Sequence, residues 1–111
     1  QAIPIVHFDW DDNKSMAANN SSSFCYRNVA NTIRKSRHST GMAIDINPYF
    51  NPIRYKSPQQ SKPNTPEGSV LDTTVAGTLY AVHPVVKEFK RRGFRWGHHF
   101  RKYFDDHHFD K

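Results

Sequence analysis

Apolar and polar residues divide this chain of 111 residues into a few short structured runs separated by long polar stretches. The clearest alternation is Met42-Ala43-Ile44-Asp45-Ile46. Met42, Ile44 and Ile46 fall on one face and Ala43 and Asp45 on the other, which predicts a half-buried strand with an acid on its second face. A turn at Ser39-Thr40-Gly41 opens that strand. From Val82 the period lengthens: Val82, Val85, Val86 and Phe89 make one stripe, and Pro84 suits a first helical turn. Lys90, Arg91 and Arg92 suit the negative end of the helix dipole, and Gly93 suits the C-cap. Phe94-Arg95-Trp96 then reads as a short strand, residues 97–104 as a loop, and His107 to Asp110 as a final short strand. Ser23 to Lys35 has patchy apolar spacing and fits either a short helix or an extended strand followed by a turn.

The polar stretches fill the rest. Asp11 to Ser23 is rich in Asn and Ser and reads as a loop, so residues 1–21 are expected to form a mobile leading segment. Asn47-Pro48 and Asn51-Pro52 stop a strand and start turns, and residues 56–69, with three prolines, form a surface loop. Residues 1–111 make one domain of the α+β class, a small antiparallel sheet with helices packed on one side.

Composition adjusts this picture modestly. With 36 % hydrophobic and 14 % aromatic residues, the core must lean on Phe, Tyr and Trp. No window is long and apolar enough to span a bilayer, and Gln1 to Asp12 lacks the basic head and apolar middle of a signal peptide. The chain does not begin with Met, which suggests a mature or excised domain. Cys25 is the single cysteine, so no internal disulfide forms, and a packed, inert thiol is the expectation for it. A formal net charge of +6 favours polyanions: nucleic acid, anionic lipid or an anionic cell-wall polymer. The densest basic stretch, Lys87 to Trp96, is explained more simply by an amphipathic helix than by nucleic-acid binding.

The candidate chemistry starts at Ser36 to Asp45, where His38 and Asp45 flank Gly41. An odd separation would put them on opposite sides of a continuous strand. The Gly41 turn lets His38 fold back while Asp45 projects beside small Ala43, leaving room for an ion and a substrate. A hydrolytic zinc takes three protein ligands, often two His and a carboxylate, and keeps one position open. A second histidine is therefore needed, and His107 and His108 are on offer.

Several spaced segments carry a resemblance. These are S-x-H-x-x-G-x-A-x-D at Ser36 to Asp45, I-N-P-x-x-N-P at Ile46 to Pro52, R-G-F-x-W-G at Arg92 to Gly97, and D-x-x-H-F at Asp105 to Phe109. They resemble the zinc metallopeptidase family of D-alanyl-D-alanine carboxypeptidases and L-alanyl-D-glutamate endopeptidases, most of all its endopeptidase-containing, carboxypeptidase-like branch. Ser22 to Arg27 is similar to the segment that precedes the first histidine there, so the likeness runs from about Ser22 to Asp110. It implies a hedgehog/DD-peptidase-type fold and one Zn2+ per chain held by His38, Asp45 and His108. It selects His108 over His107, and strand alternation, which turns adjacent residues to opposite faces, agrees that only one can face the ion. Asp105 takes the general-base position and Arg27 that of the arginine supporting the carbonyl oxygen. Ser36 orients a ligand or is a turn serine; Trp96 is a pocket wall or, in the favoured reading, a core residue.

Two positions depart from the family's habit. Asp110 stands where glutamate usually follows H-F, which puts any supporting role there in doubt. His98 and His99 replace small or acidic residues and read as exposed loop histidines. The implied activity is hydrolysis of an amide in the peptide stem of bacterial peptidoglycan, outside the cytoplasmic membrane or during phage-type lysis, by a monomer with no nucleic-acid partner. The rival is a non-catalytic, zinc-containing cell-wall or ligand-binding module of the same fold, against which Asp105 weighs. A charge-driven nucleic-acid-binding domain is the third reading.

Overall fold

The computed structural model describes residues 1–111. A helix, α1 (Asp12–Ala17), stands where the polar run suggested a loop. Its cause lies in those same polar residues. Asp11 accepts hydrogen bonds from the Asn13 and Lys14 amides at 2.9 and 3.2 Å, capping the helix start. Asn20, fully buried, accepts from the Ile3 amide and donates to the Ile3 carbonyl and the Ser15 hydroxyl. Residues that read as loop formers thus act as clamps.

Residues 23–35, open between helix and strand, are extended with a turn: Asn28 bridges Lys35 across Asn31, which sits at φ 60°. A short 3-10 turn at Arg37–Thr40 follows, capped by the Ser36 hydroxyl and ended by Gly41 at φ 70°, where a Cβ would be strained. Next come β1 (Ala43–Asp45) and β2 (Ile53–Tyr55), joined by the Asn-Pro turns. Asn51 pins that connection: its side-chain amide donates to the carbonyls of Ile46, Asn47 and Gly77, and its Oδ1 accepts from the Leu79 amide.

Helix α2 (Pro84–Arg91) begins with Pro84 in its first turn and the His83 ring accepting from the Val85 amide. The predicted stripe narrows, because Val82 precedes the helix and is exposed while Val86 is fully buried. Phe89 stacks on Phe109 with ring centres 4.5 Å apart. Strands β3 (Arg95–Trp96), β4 (Tyr103–Asp105) and β5 (His108–Asp110) complete the chain.

The strands form two antiparallel sheets, β1-β5-β3 and β2-β4. The second was not anticipated, since β4 lies in the stretch read as a loop and β2 follows an Asn-Pro turn. Its strands have three residues each and all but Asp105 are half-buried, so no alternation marks them. They meet through the cross-strand pair Arg54 and Phe104, with the guanidinium 4.3 Å from the ring centre.

Register in the first sheet decides what each face carries. Phe109 pairs with Ile44 on one side and Trp96 on the other, and all three turn towards α2. That face closes the core of Leu79, Val86, Trp96 and Phe109. His108 pairs with Asp45, and Asp110 with Ala43 and Arg95, on the opposite face. One side of the sheet is therefore apolar and the other holds the candidate chemistry. Ile44 and Ile46 pack against that core as their alternation suggested, but Met42 is exposed, and Ala43 and Asp45 on the second face are the more buried positions of β1. No helix is long and apolar enough to cross a membrane.

Candidate active site

Asp45 and His108 face each other because β1 and β5 pair in that register, and their Oδ1 and Nδ1 atoms are 3.0 Å apart. His38 comes in from the 3-10 turn before β1, its Nε2 3.3 Å from Asp45 Oδ2 and 3.3 Å from His108 Nδ1. The hydrogen bonds behind the rings set which nitrogen is free. His38 Nδ1 donates to the Ser23 carbonyl at 2.7 Å, leaving the Nε2 lone pair towards Asp45. His108 Nε2 donates to Asp110 at 3.2 Å, so Nδ1 is the nitrogen that offers a lone pair to the same spot once it gives up its proton.

The donor set suits a small divalent ion. Two imidazole nitrogens and a carboxylate oxygen, all within 4.8 Å of one another, are the group this chain offers for a metal. Zinc–ligand bonds of about 2.0–2.1 Å at tetrahedral angles separate ligands by ~3.3 Å; the two imidazole nitrogens here are 3.3 Å apart, and each lies 3.0–3.3 Å from one of the two Asp45 oxygens. The residues fit zinc.

Charge follows from burial and proximity. Without a metal, burial works against the Asp45 carboxylate, but the charge of His107 and the adjoining His108 and His38 rings hold it well below the usual range. Burial pulls the His108 imidazole down, yet its hydrogen bond to Asp45 and the surrounding carboxylates push it up to about 9. The cluster attracts positive charge strongly.

Asp105, at the end of β4, reaches the same cleft of about 360 Å³, which is lined by His38, Asp45, His107, His108, Arg27 and residues of α1. Burial raises the Asp105 carboxyl above its ordinary value; the His107 charge opposes this and the Asp45 charge adds to it. Its Oδ1 lies 3.0 Å from His107 Nε2 but out of line for a hydrogen bond, so this buried oxygen has no hydrogen-bond donor. An unpartnered carboxylate oxygen next to a metal-type donor set suits a base for water. A larger hollow of about 770 Å³ lies between residues 2–10 and β1, but no titratable side chain lines it.

His107 departs from the strand argument. It lies in the turn before β5, so alternation does not apply, and its buried ring lines the cleft as well. Its Nδ1 donates to the Asn51 carbonyl at 2.7 Å, which sets Nε2 3.0 Å from Asp105 Oδ1. The Asn51 of the N-P-x-x-N-P turns thereby fixes a ring in the site, a link that spacing alone does not reveal.

The remaining sequence-predicted residues lie as follows. Arg27 lines the cleft and its Nε is 3.0 Å from Asp12 Oδ2. Ser36 caps the turn bearing His38, its hydroxyl accepting from the His38 amide at 3.3 Å, and does not line the cleft. Trp96 does not line it either: the ring is in the core, parallel to Phe109, with Nε1 donating to the Asp106 carbonyl. Neither residue set down for substrate contact reaches the cleft. Ala43, expected to leave room beside the ion, is buried opposite Asp110 and does not line it.

Asp110 takes the supporting place that its departure from glutamate put in doubt. It holds His108 Nε2 and is gripped by Arg95 through two hydrogen bonds of 2.7 and 2.8 Å. His98 is not a free loop histidine: it stacks on Trp96 and binds Asp106 at 2.6 Å, whereas His99 is exposed. Burial, and then the Asp12 charge, push the Cys25 thiol up, against any role as nucleophile.

A family model described as D-alanyl-D-alanine carboxypeptidase matches residues 30–111. No curated protein and no solved structure matches the chain.

Proposed function

This chain belongs to the D-alanyl-D-alanine carboxypeptidase family, and from that membership we infer that it is a zinc peptidase hydrolysing an amide in the peptide stem of bacterial peptidoglycan, outside the cytoplasmic membrane. The observation that carries this reading is Asp105 Oδ1, buried without a hydrogen-bond donor in the same cleft as the His38, Asp45 and His108 donor set. His38, Asp45 and His108 would hold the ion. Zinc there supplies Lewis acidity and lowers the pKa of water towards ~7.

The other roles belong to side chains of this chain. Asp105, with its raised affinity for a proton, takes one from the attacking water and returns it to the leaving amine. Arg27 faces the cleft as a permanent cation and stabilises the negative charge that grows on the scissile carbonyl oxygen. Asp110 and the Ser23 carbonyl keep the two imidazoles in the tautomers that leave lone pairs for the ion. A basic surface, with formal net charge +6, suits an anionic wall and stem peptides bearing free carboxylates.

The test incubates zinc-loaded protein with muropeptides and identifies products by mass spectrometry, beside Asp105→Asn at equal zinc content. New amine and a defined cleavage product are expected from the wild type, with the variant slower by ~10²–10⁴-fold. A protein that binds muropeptides and releases no amine is instead a binding module. Equal rates in the two samples remove Asp105 from the chemistry.

A further inference from the structure

Helix α1 lies ahead of residues 30–111, the part matched by the family model, yet Asp12, Asn13 and Met16 line the candidate cleft beside His38, Asp45 and Asp105. It is anchored there. Met16 is buried, Asn20 clamps Ser15 and Ile3, and Asn19 accepts from the amides of Tyr49 and Phe50 in the Asn-Pro connection. That docking sets the Asp12 carboxylate against Arg27, with Oδ2 3.0 Å from Nε.

We propose that Asp12 is a positioning residue, which holds Arg27 by its Nε edge so that the other edge of the guanidinium faces the substrate's scissile carbonyl. This rests on the peptidase reading above. Arg27 is held at both ends. Its backbone amide and carbonyl both bind the Ser39 hydroxyl, at 3.0 and 2.7 Å, which ties it to the turn carrying His38. At the far end, Nε is buried and has no linear hydrogen bond, so the nearby Asp12 charge is what compensates it.

The geometry separates a holder from a plug. An internal carboxylate that blocked the site would take the forked end of the guanidinium, as a substrate carboxylate does. Asp12 takes Nε instead. Nη1 reaches the Asn28 carbonyl at 3.5 Å and the Cys25 thiol lies beside the guanidinium, but no carboxylate occupies the forked end, which leaves it for an incoming oxygen. A long, flexible side chain restrained at Nε loses less freedom when it meets the transition state.

The experiment compares wild type, Asp12→Asn, Arg27→Ala, the double variant and Asp12→Glu, with Asp9→Asn as control. Asp9 is on the same segment, but its partner is the exposed Lys14 at 3.7 Å. Zinc content, melting temperature, amine release from muropeptides and the Arg27 Nε–Hε signal in a 15N NMR spectrum are measured. Asp12→Asn is expected to move that signal and to lower kcat/KM tenfold or more, mainly through kcat, at unchanged zinc content and melting temperature. The double variant should be no slower than Arg27→Ala, Asp12→Glu should recover part of the rate, and Asp9→Asn should match wild type.

The proposal fails if Asp12→Asn is faster than wild type, if its penalty persists undiminished without Arg27, or if the Arg27 signal stays in place. Active wild type with indifferent Asp12→Asn overturns the role of Asp12 alone. Wild type that releases no amine from any muropeptide overturns the peptidase reading and the positioning role with it.

Discussion

In the proposed zinc site, His108 is where metal and proton would compete. Its imidazole is pushed up to about 9 by carboxylates that overcome its burial, against ~6.5 in an unfolded chain. A raised pKa contributes stability that is complete below ~6.5 and is lost as pH climbs through about 9. Burial pulls on His107 as well, but the charges of Asp105 and Asp45 raise it in the same direction. Protein stripped by a chelator should therefore melt at progressively lower temperature between pH 6.5 and 9, as scanning calorimetry would record. Zinc binding should run the opposite way, because each ion must displace the His108 proton. Affinity measured against a competing chelator should rise about tenfold per pH unit up to that range, with one proton released. A flat profile would remove His108 from the ligand set.

Among the elements, the turn at Gly97–His99 and the β4-to-β5 connection are built against each other. A Cβ at Gly97 would come within 2.5 Å of the Asp105 carbonyl oxygen, 2.8 Å of the Asp105 Cβ and 3.2 Å of the His108 Cβ. The glycine of the W-G pair is thus needed for close approach: it lets β4 and β5 lie where Asp105 and His108 share a cleft. Gly97→Ala forces backbone movement there, which we expect to cost ~1–3 kcal/mol by analogy with overpacked cores. Urea unfolding should show that loss, and peptidase activity should fall further than stability accounts for, since an ångström of misplacement can cost ~10²-fold. Folding and turnover like wild type would mean that the two elements can part without consequence.

At the scale of the whole molecule, twelve polar residues are buried, against eight buried hydrophobic core residues other than proline, and the apolar cluster has only four members. Much of the interior is held by hydrogen-bonded groups: Asn20, Asn51, Asp106 and the Asp45 cluster. Four buried ionisable side chains, His38, Asp45, Asp105 and His107, crowd one cleft, so an ion bound there should stabilise the fold as a whole. At a free zinc concentration a thousandfold above Kd the gain is about 4 kcal/mol, which for a domain of this size corresponds to a melting shift on the order of 15 °C or more. Calorimetry with and without chelator at pH 7 checks this. A shift of a degree or two would show that the ion contributes little to the fold.

Local pattern was enough for β1, α2, β3 and β5, because each carries its own signal: alternation in Met42 to Ile46, a capped apolar stripe at Pro84 to Phe89, and short aromatic-bearing segments at Phe94 to Trp96 and His107 to Asp110. The spaced motifs also named the residues that the fold brings together, His38, Asp45, His108, Asp105 and Arg27. Tertiary structure decided the rest. Helix α1 was hidden because Asn and Ser serve equally well in loops and as clamps, and only partners such as Ile3 and Tyr49, distant in sequence, distinguish the two. Strands β2 and β4 were hidden because half-buried positions carry no period. His107, placed on the wrong side by alternation, turns into the cleft because it precedes β5 and is held by Asn51. That the second face of β1 would be buried as well was not legible locally, because Asp45 becomes an interior group only once His38 and His108 arrive to compensate its charge.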